Sequence, residues 1–356
     1  MTKYYYPCVL LLNDIHISKE NIEEFKLNWH EALYICDSME ITMIAVGGDI
    51  FMSRSSQTLD ILLAIHDAII EAEKRNITVF LVNGNHDKID QEASRGYCHV
   101  FDQHKNVYVG DENIIITDEK YWNFALHMIA YFPENGSFRE RLERLRNTTM
   151  KVDRMNYLYL HEGINGALQT ASDNELPASL FEGFDKVFVG HYQNRCISQG
   201  TKIEYIGASR QHNFGEDEQK GYTILFNDGT TKFIQNQVNK RYKVLDVDAC
   251  KVNVHLYNLM DELKEDERYK IKVRITSPAD KVQGIDKSKL IKAGASKVEI
   301  ISEEPEVIES VSTSLFEKFD NKKIQENYQE FCKQKDIKDV SLGLSYLSKI
   351  VITCGN

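Results

Sequence analysis

The chain has 356 residues, 42% hydrophobic and 27% charged, with a formal net charge of −11. That length exceeds one ordinary compact domain, so two or three are expected, and the composition is that of a globular protein. The acidic balance excludes indiscriminate nucleic-acid binding while leaving room for a local basic groove.

Seven scattered cysteines (Cys8, Cys36, Cys98, Cys196, Cys250, Cys332, Cys354) without CxxC spacing speak against a disulfide framework or a cysteine zinc site. They predict reduced thiols inside a cell. The apolar run in "MTKYYYPCVLLLND" is too short for a signal h-region, and no stretch approaches the roughly 18 apolar residues of a membrane span. A cytoplasmic protein with no membrane association is expected.

In chain order, "CVLLLND" predicts a strand, and Ile22, Phe25, Trp29, Leu33 and Ile35 have helical spacing. "ITMIAVGGD" predicts a second strand, "SSQTLDILLAIHDAIIEAEKRN" a second helix and "ITVFLVNGNHD" a third strand. Continuous apolar strands alternating with helices imply an α/β fold around a largely parallel, buried sheet. "FALHMIAYF", the charged helix "SFRERLERLRN", "MNYLYLHEG" and "DKVFVGHYQ" follow. Short strands around turn residues, "IEYIGAS" and "GYTILFNDGTTKFIQNQ", predict an antiparallel half. Near Lys240 the pattern becomes strand, helix, strand, helix, strand, a small α+β unit. From about Pro305 it is almost entirely helical. The expected division is 1–240, 241–303 and 304–356.

Strand ends concentrate the chemistry. "LLND-I-H" ends in Asp14 and His16, "AVGGD" in Asp49, "LVNGNHD" in Asn85 and His86, "YLYLH" in His161, and "VFVGHYQ" in His191 and Gln193. Residues i and i+2 of a strand point the same way, so Asp14/His16 and His191/Gln193 form two pairs that can each aim at one point. Parallel sheets gather ligands at the carboxyl ends of their strands. Imidazole mixed with carboxylate and carboxamide oxygen suits manganese, iron or zinc better than calcium or magnesium. Taken singly, Asp-x-His is common surface chemistry and Gly-Asp is usually a turn; the ordered series is what argues against coincidence.

That series resembles the calcineurin-like metallophosphoesterases. "GDIFMSRSSQTL", "YLHEGING" and "EYIGASRQHNFGEDEQKGYTIL" are further similar to SbcD-type nuclease subunits of DNA double-strand-break repair complexes, cellular or phage, over roughly residues 6–240. The resemblance implies a two-sheet sandwich flanked by helices, then an α+β DNA-capping domain and a helical segment that docks an SbcC-type coiled-coil ATPase. It implies a homodimer within that complex, in the cytoplasm of a bacterium or phage-infected host. It also implies two divalent ions, manganese by preference. Asp14, His16 and Asp49 would hold one, and Asp49, Asn85, His161 and His191 the other, with His86 beside the scissile phosphate.

Gln193 departs from the family pattern, which has histidine there; a neutral carbonyl oxygen is the poorer ligand. Met52 stands where relatives often carry a polar residue. Arg210 and His212 lie in a loop that the resemblance sets near the DNA path. "RERLERLR" reads first as a solvated helix face. His30 and His66 fit helix faces, and His99, His104, His127 and His255 match no motif. Besides the nuclease, two functions compete: a metallophosphodiesterase or phosphatase of another substrate, and a catalytically weak architectural subunit that binds DNA ends or the ATPase.

Overall fold

The computed structural model describes residues 5–165, 175–198, 200–252, 254–278 and 285–303, with isolated positions beyond. The helical pattern expected over 304–356 therefore lies outside the described residues, apart from those positions. Met1–Ile301 forms one compact unit and Ser302–Asn356 a second.

The first unit opens as its pattern demands. Strand β1 (Pro7–Leu12), helix α1 (Ile22–Met39), β2 (Met43–Val46), α2 (Leu59–Lys74) and β3 (Thr78–Val82) make two crossover units. β1, β2 and β3 run parallel, with Leu12 opposite Val46 and Val46 opposite Leu81. All three therefore end at one edge. α1 turns Phe25, Trp29, Ala32, Leu33 and Cys36 inward, and α2 turns Ile61, Ile65, Ala68 and Ile69. Both stripes pack on the outer face of this sheet. β4 (Val107–Gly110) extends it beside β3.

A second six-stranded sheet contains β5 (Asn113–Thr117), β6 (Phe124–Ile129), β7 (Met155–His161), β8 (Lys186–Gly190), β9 (Cys196–Ile197) and β10 (Ile203–Tyr205), in the order β5-β6-β7-β8-β10-β9. Helix α3 (Phe138–Thr149) crosses from β6 to β7. Of the short strands expected to make an antiparallel half, β10 instead runs parallel to β8 and extends the parallel run of β6, β7 and β8. Their almost uniformly buried runs are what a sheet covered on both faces requires. The hairpin of β11 (Gly221–Phe226) and β12 (Thr231–Gln235) returns to the first sheet, with β11 antiparallel to β1. Val9, Leu11, Ala45 and Val82 of one sheet meet Leu126, Leu158, Leu160 and Val189 of the other in a shared core. The result is two facing sheets flanked by helices.

A third, three-stranded sheet follows. β13 (Arg241–Asp248), α4 (Val254–Lys264), β14 (Tyr269–Pro278), α5 (Lys287–Lys292) and β15 (Lys297–Glu303) close a small core of their own around Leu245, Leu256, Met260, Ile271, Val273 and Leu290.

Candidate metal centre

The carboxyl ends of β1, β2, β3, β7 and β8 deliver the polar residues. β1 stops at Leu12, two residues before Asp14. Asp14 and His16 then adopt φ of 52° and 46°, Asp49 adopts 52°, and His191 adopts 89°. Six non-glycine residues among those described have positive φ, and four are candidate ligands. Left-handed backbone is tolerated best by Asp, Asn and His and still costs about 1–3 kcal/mol per residue. The surrounding hydrogen bonds supply the compensation: Asp14 N–H donates to Gly48 O (3.1 Å), His16 N–H to Asp49 O (3.0 Å) and Ile17 N–H to Ile50 O (2.8 Å). Asp14 and His16 thus converge through two left-handed turns, not as alternate residues of a strand.

Glycine is required beside them. A Cβ on Gly84 would lie 2.3 Å from Asp49 Oδ1, and Gly48 has φ of +99° with Gly84 backbone 2.8 Å away. The two turns can only touch without side chains.

The donors form two overlapping groups, His16–Asp49–His86 and Asp14–Asp49–His161, each with ligand atoms within 4.8 Å of one another. Asp49 belongs to both. His16 Nε2 is 3.5 Å from Asp14 Oδ1 and 3.6 Å from Asp49 Oδ2; His161 Nε2 is 4.0 Å and 3.2 Å from the same two atoms. His161 donates Nδ1–H to Gly47 O (3.0 Å), which fixes its tautomer and turns Nε2 to the carboxylates. Burial pulls the His161 imidazolium down, but Asp49 and Asp14 raise it to about 9. Burial pushes Asp49 up, yet His161 and His16 hold it well below the usual range. Asp14 Oδ1 is buried without a hydrogen-bond partner. Imidazole with carboxylate around that oxygen fits a divalent transition metal.

His191 stands one ring further out: its ring is 5.5 Å from that of His161, and its amide donates to Asp14 Oδ2 (3.1 Å). Asn85 is buried in the turn after β3. Gln193 is half-buried, and its carbonyl accepts from Ala208 N–H (2.9 Å) and Lys220 Nζ (2.8 Å). His86 donates N–H to Asp49 Oδ1 (2.8 Å) and Nδ1–H to Met52 O (2.7 Å). Met52 therefore acts through its backbone carbonyl, and its side chain is 38% exposed.

Sequence reasoning passed over several supporting residues. Asp87 accepts from Phe51 N–H (2.9 Å) and Gly84 N–H (2.8 Å), tying the His86 turn to the Asp49 turn. Tyr159 hydroxyl reaches Leu12 O (2.8 Å) and Asn13 Oδ1 (2.9 Å) from the facing sheet, and Asn13 Nδ2 donates to Asp14. The acid that closes "GNHD" was the available signal for Asp87; nothing local marks Tyr159.

Arg210 and His212 both bond to the backbone of the Asp14–His16 loop. Arg210 is 4% exposed, and its Nη2 donates to Ile15 O (2.9 Å). His212 donates Nε2–H to Asp14 O (2.8 Å), and its ring lies edge-on to His16 at 5.2 Å. On α3, Arg141 and Arg144 pair with Glu112, and Arg146 pairs with Glu143. His30 pairs with Glu71, His99 with Asp111 and His66 with His104, while His127 is interior. No described helix is long and apolar enough to cross a membrane.

The donors gathered here come from the motifs that resemble those of calcineurin-like metallophosphoesterases. More narrowly, the chain is 23% identical over 242 residues to the SbcD component of nuclease SbcCD from Staphylococcus saprophyticus, covering 61% of this chain and 60% of that protein. It thus spans about three fifths of that relative's length. No family model matches the chain. A dimetal phosphatase from Danio rerio overlaps at 9% identity and a TM-score of 0.42, covering 64% of this chain and 93% of that one. Nuclease MPE of Pseudomonas putida overlaps at 14% identity and 0.27, covering 61% and 82%. Overlaps that loose carry no argument.

Proposed function

We propose that the chain is a metal-dependent phosphodiesterase acting on DNA, the nuclease subunit of an end-processing complex with a coiled-coil ATPase. The observation that carries this reading is Asp49, a single buried carboxylate common to two groups of imidazole and carboxylate donors. Asp14, His16 and Asp49, with Gln193 as the fourth donor, would hold one divalent ion. Asp49, Asn85, His161 and His191 would hold the other. Two such ions, manganese by the family resemblance, would supply Lewis acidity toward the phosphoryl oxygens and acidify the attacking water.

The chain's own side chains do the rest. Asp49 would serve both ions, and the backbone N–H of His86 orients its Oδ1. His86, anchored at Nδ1 on Met52 O, keeps Nε2 for the phosphate, where it stabilises developing charge or protonates the leaving oxygen. Gly47 O holds His161 in the tautomer a ligand needs.

The DNA substrate, the ATPase and a cytoplasmic setting rest on the resemblance of the sequence to SbcD-type nuclease subunits. Gln193 favours a second reading, a catalytically weak subunit that binds DNA ends or the ATPase. A manganese-dependent assay on linear and hairpin DNA, with and without the ATPase, separates the two. The parent chain should cut and Asp49→Ala should not, while keeping its fold by circular dichroism. Equal turnover by Asp49→Ala would overturn the site assignment. Parent inactivity under every condition, with DNA binding retained, would favour the second reading.

A further inference from the structure

The segment from Ala208 to Lys220 touches two structures that are far apart in sequence. On its inner side it holds the loops of the candidate centre. Arg210 Nη2 donates to Ile15 O (2.9 Å), and His212 Nε2 donates to Asp14 O (2.8 Å). Lys220, 2% exposed, donates to Gln193 O (2.8 Å) and Asn194 Oδ1 (2.6 Å). On its outer side the third sheet grips it. Gln211 Oε1 accepts from Tyr242 N–H (2.9 Å), and its Nε2 donates to Tyr242 O (3.1 Å) and Glu216 O (3.0 Å). Glu218 accepts from Lys243 Nζ (2.6 Å) of β13 and Tyr269 hydroxyl (2.7 Å) of β14.

We propose that Gln211 and Glu218 are positioning residues: through this tie the third sheet holds the left-handed Asp14–His16 loop and the Gln193 turn in ligand geometry. This rests on the dimetal reading above. Those loops carry backbone strain that relaxes unless their surroundings hold it, and the inner contacts are made by a segment with no regular structure of its own. Gln211, Tyr242, Glu218 and Lys243 touch no candidate ligand side chain, so their influence passes through Arg210, His212 and Lys220. A hydrogen bond one step behind a metal ligand typically governs affinity by about 10–100-fold, and these residues stand a further step back, so the low end of that range is expected.

The test titrates the full chain with manganese and, separately, with cobalt(II), comparing the parent with Gln211→Ala and Lys243→Ala. Lys243 is 42% exposed, so its truncation opens no core and carries the test if Gln211→Ala does not fold. Gln211→Ala should lose about tenfold in affinity for one of the two ions and shift the cobalt visible bands, with a smaller loss for Lys243→Ala. Glu218→Gln, which keeps an acceptor for Tyr269 and Lys243, should bind closer to the parent than Glu218→Ala does. Folded variants that bind both ions like the parent, with unchanged cobalt bands, overturn the inference alone. A parent chain that takes up no divalent cation overturns the dimetal reading and this inference with it.

Discussion

His86 and Gln193 are the residues whose roles can be separated most cleanly. The His86 ring is anchored through Nδ1 on Met52 O, and its amide orients Asp49 without needing the side chain. His86→Ala should therefore lower the hydrolysis rate by about 10²–10⁴, the range for a positioned acid or base, while metal analysis finds the cation content retained. Loss of both ions would contradict that role. Gln193→His replaces a carboxamide by imidazole and should raise manganese affinity at the weaker site; two equally tight ions in the parent chain would argue against it. At this scale the sequence was a good guide to which residues come together, among them Asp14, His16, Asp49 and His161, because Asp and His at strand ends are chemically conspicuous. It was a poor guide to how they converge. The left-handed turns at Asp14, His16 and Asp49 come from tertiary hydrogen bonds that leave no mark on the motif.

Two elements of the second sheet make tests of their own. Tyr159 on β7 ties the end of β1 to the facing sheet through its hydroxyl. Tyr159→Phe leaves Asn13 Oδ1 without that donor and should cost about 1–2 kcal/mol in urea unfolding. On β6, His127 is fully buried between Asn156 Oδ1 (3.0 Å) and Thr149 Oγ1 (3.2 Å), and burial depresses its pKa below 6.5. The unfolded chain then binds the extra proton, so this group's contribution to stability is present above 6.5 and lost as pH falls below it. His127→Gln should remove that part of the acid dependence, read from denaturation midpoints across pH. The helices and buried strands were legible because their periodicity runs long. β4 and β5 were not, because both are short and neither has a continuous buried run. The direction of β10, parallel to β8, was not legible because direction is a property of the connections, not of the strand.

For the whole molecule, the compact unit Met1–Ile301 contains every candidate ligand. Under the proposed docking role, deleting residues after about Glu304 should leave manganese-dependent hydrolysis largely intact and abolish co-purification with the ATPase. A truncated chain that unfolds, or that still binds the ATPase fully, sinks the docking role. The sequence by itself determined the inventory of this protein. Its apolar runs require buried sheets, its spacing requires α1 and α2, and its strand ends carry two carboxylates and the histidines to match, since periodicity and residue chemistry are local properties. The tertiary structure decided what those residues do together. The β11–β12 hairpin joins the first sheet, Tyr159 crosses between sheets, and Arg210 and His212 hold the Asp14–His16 loop about 195 residues away in the chain. Such pairings depend on which surfaces meet after folding, and buried polar groups accept whichever partner arrives in range.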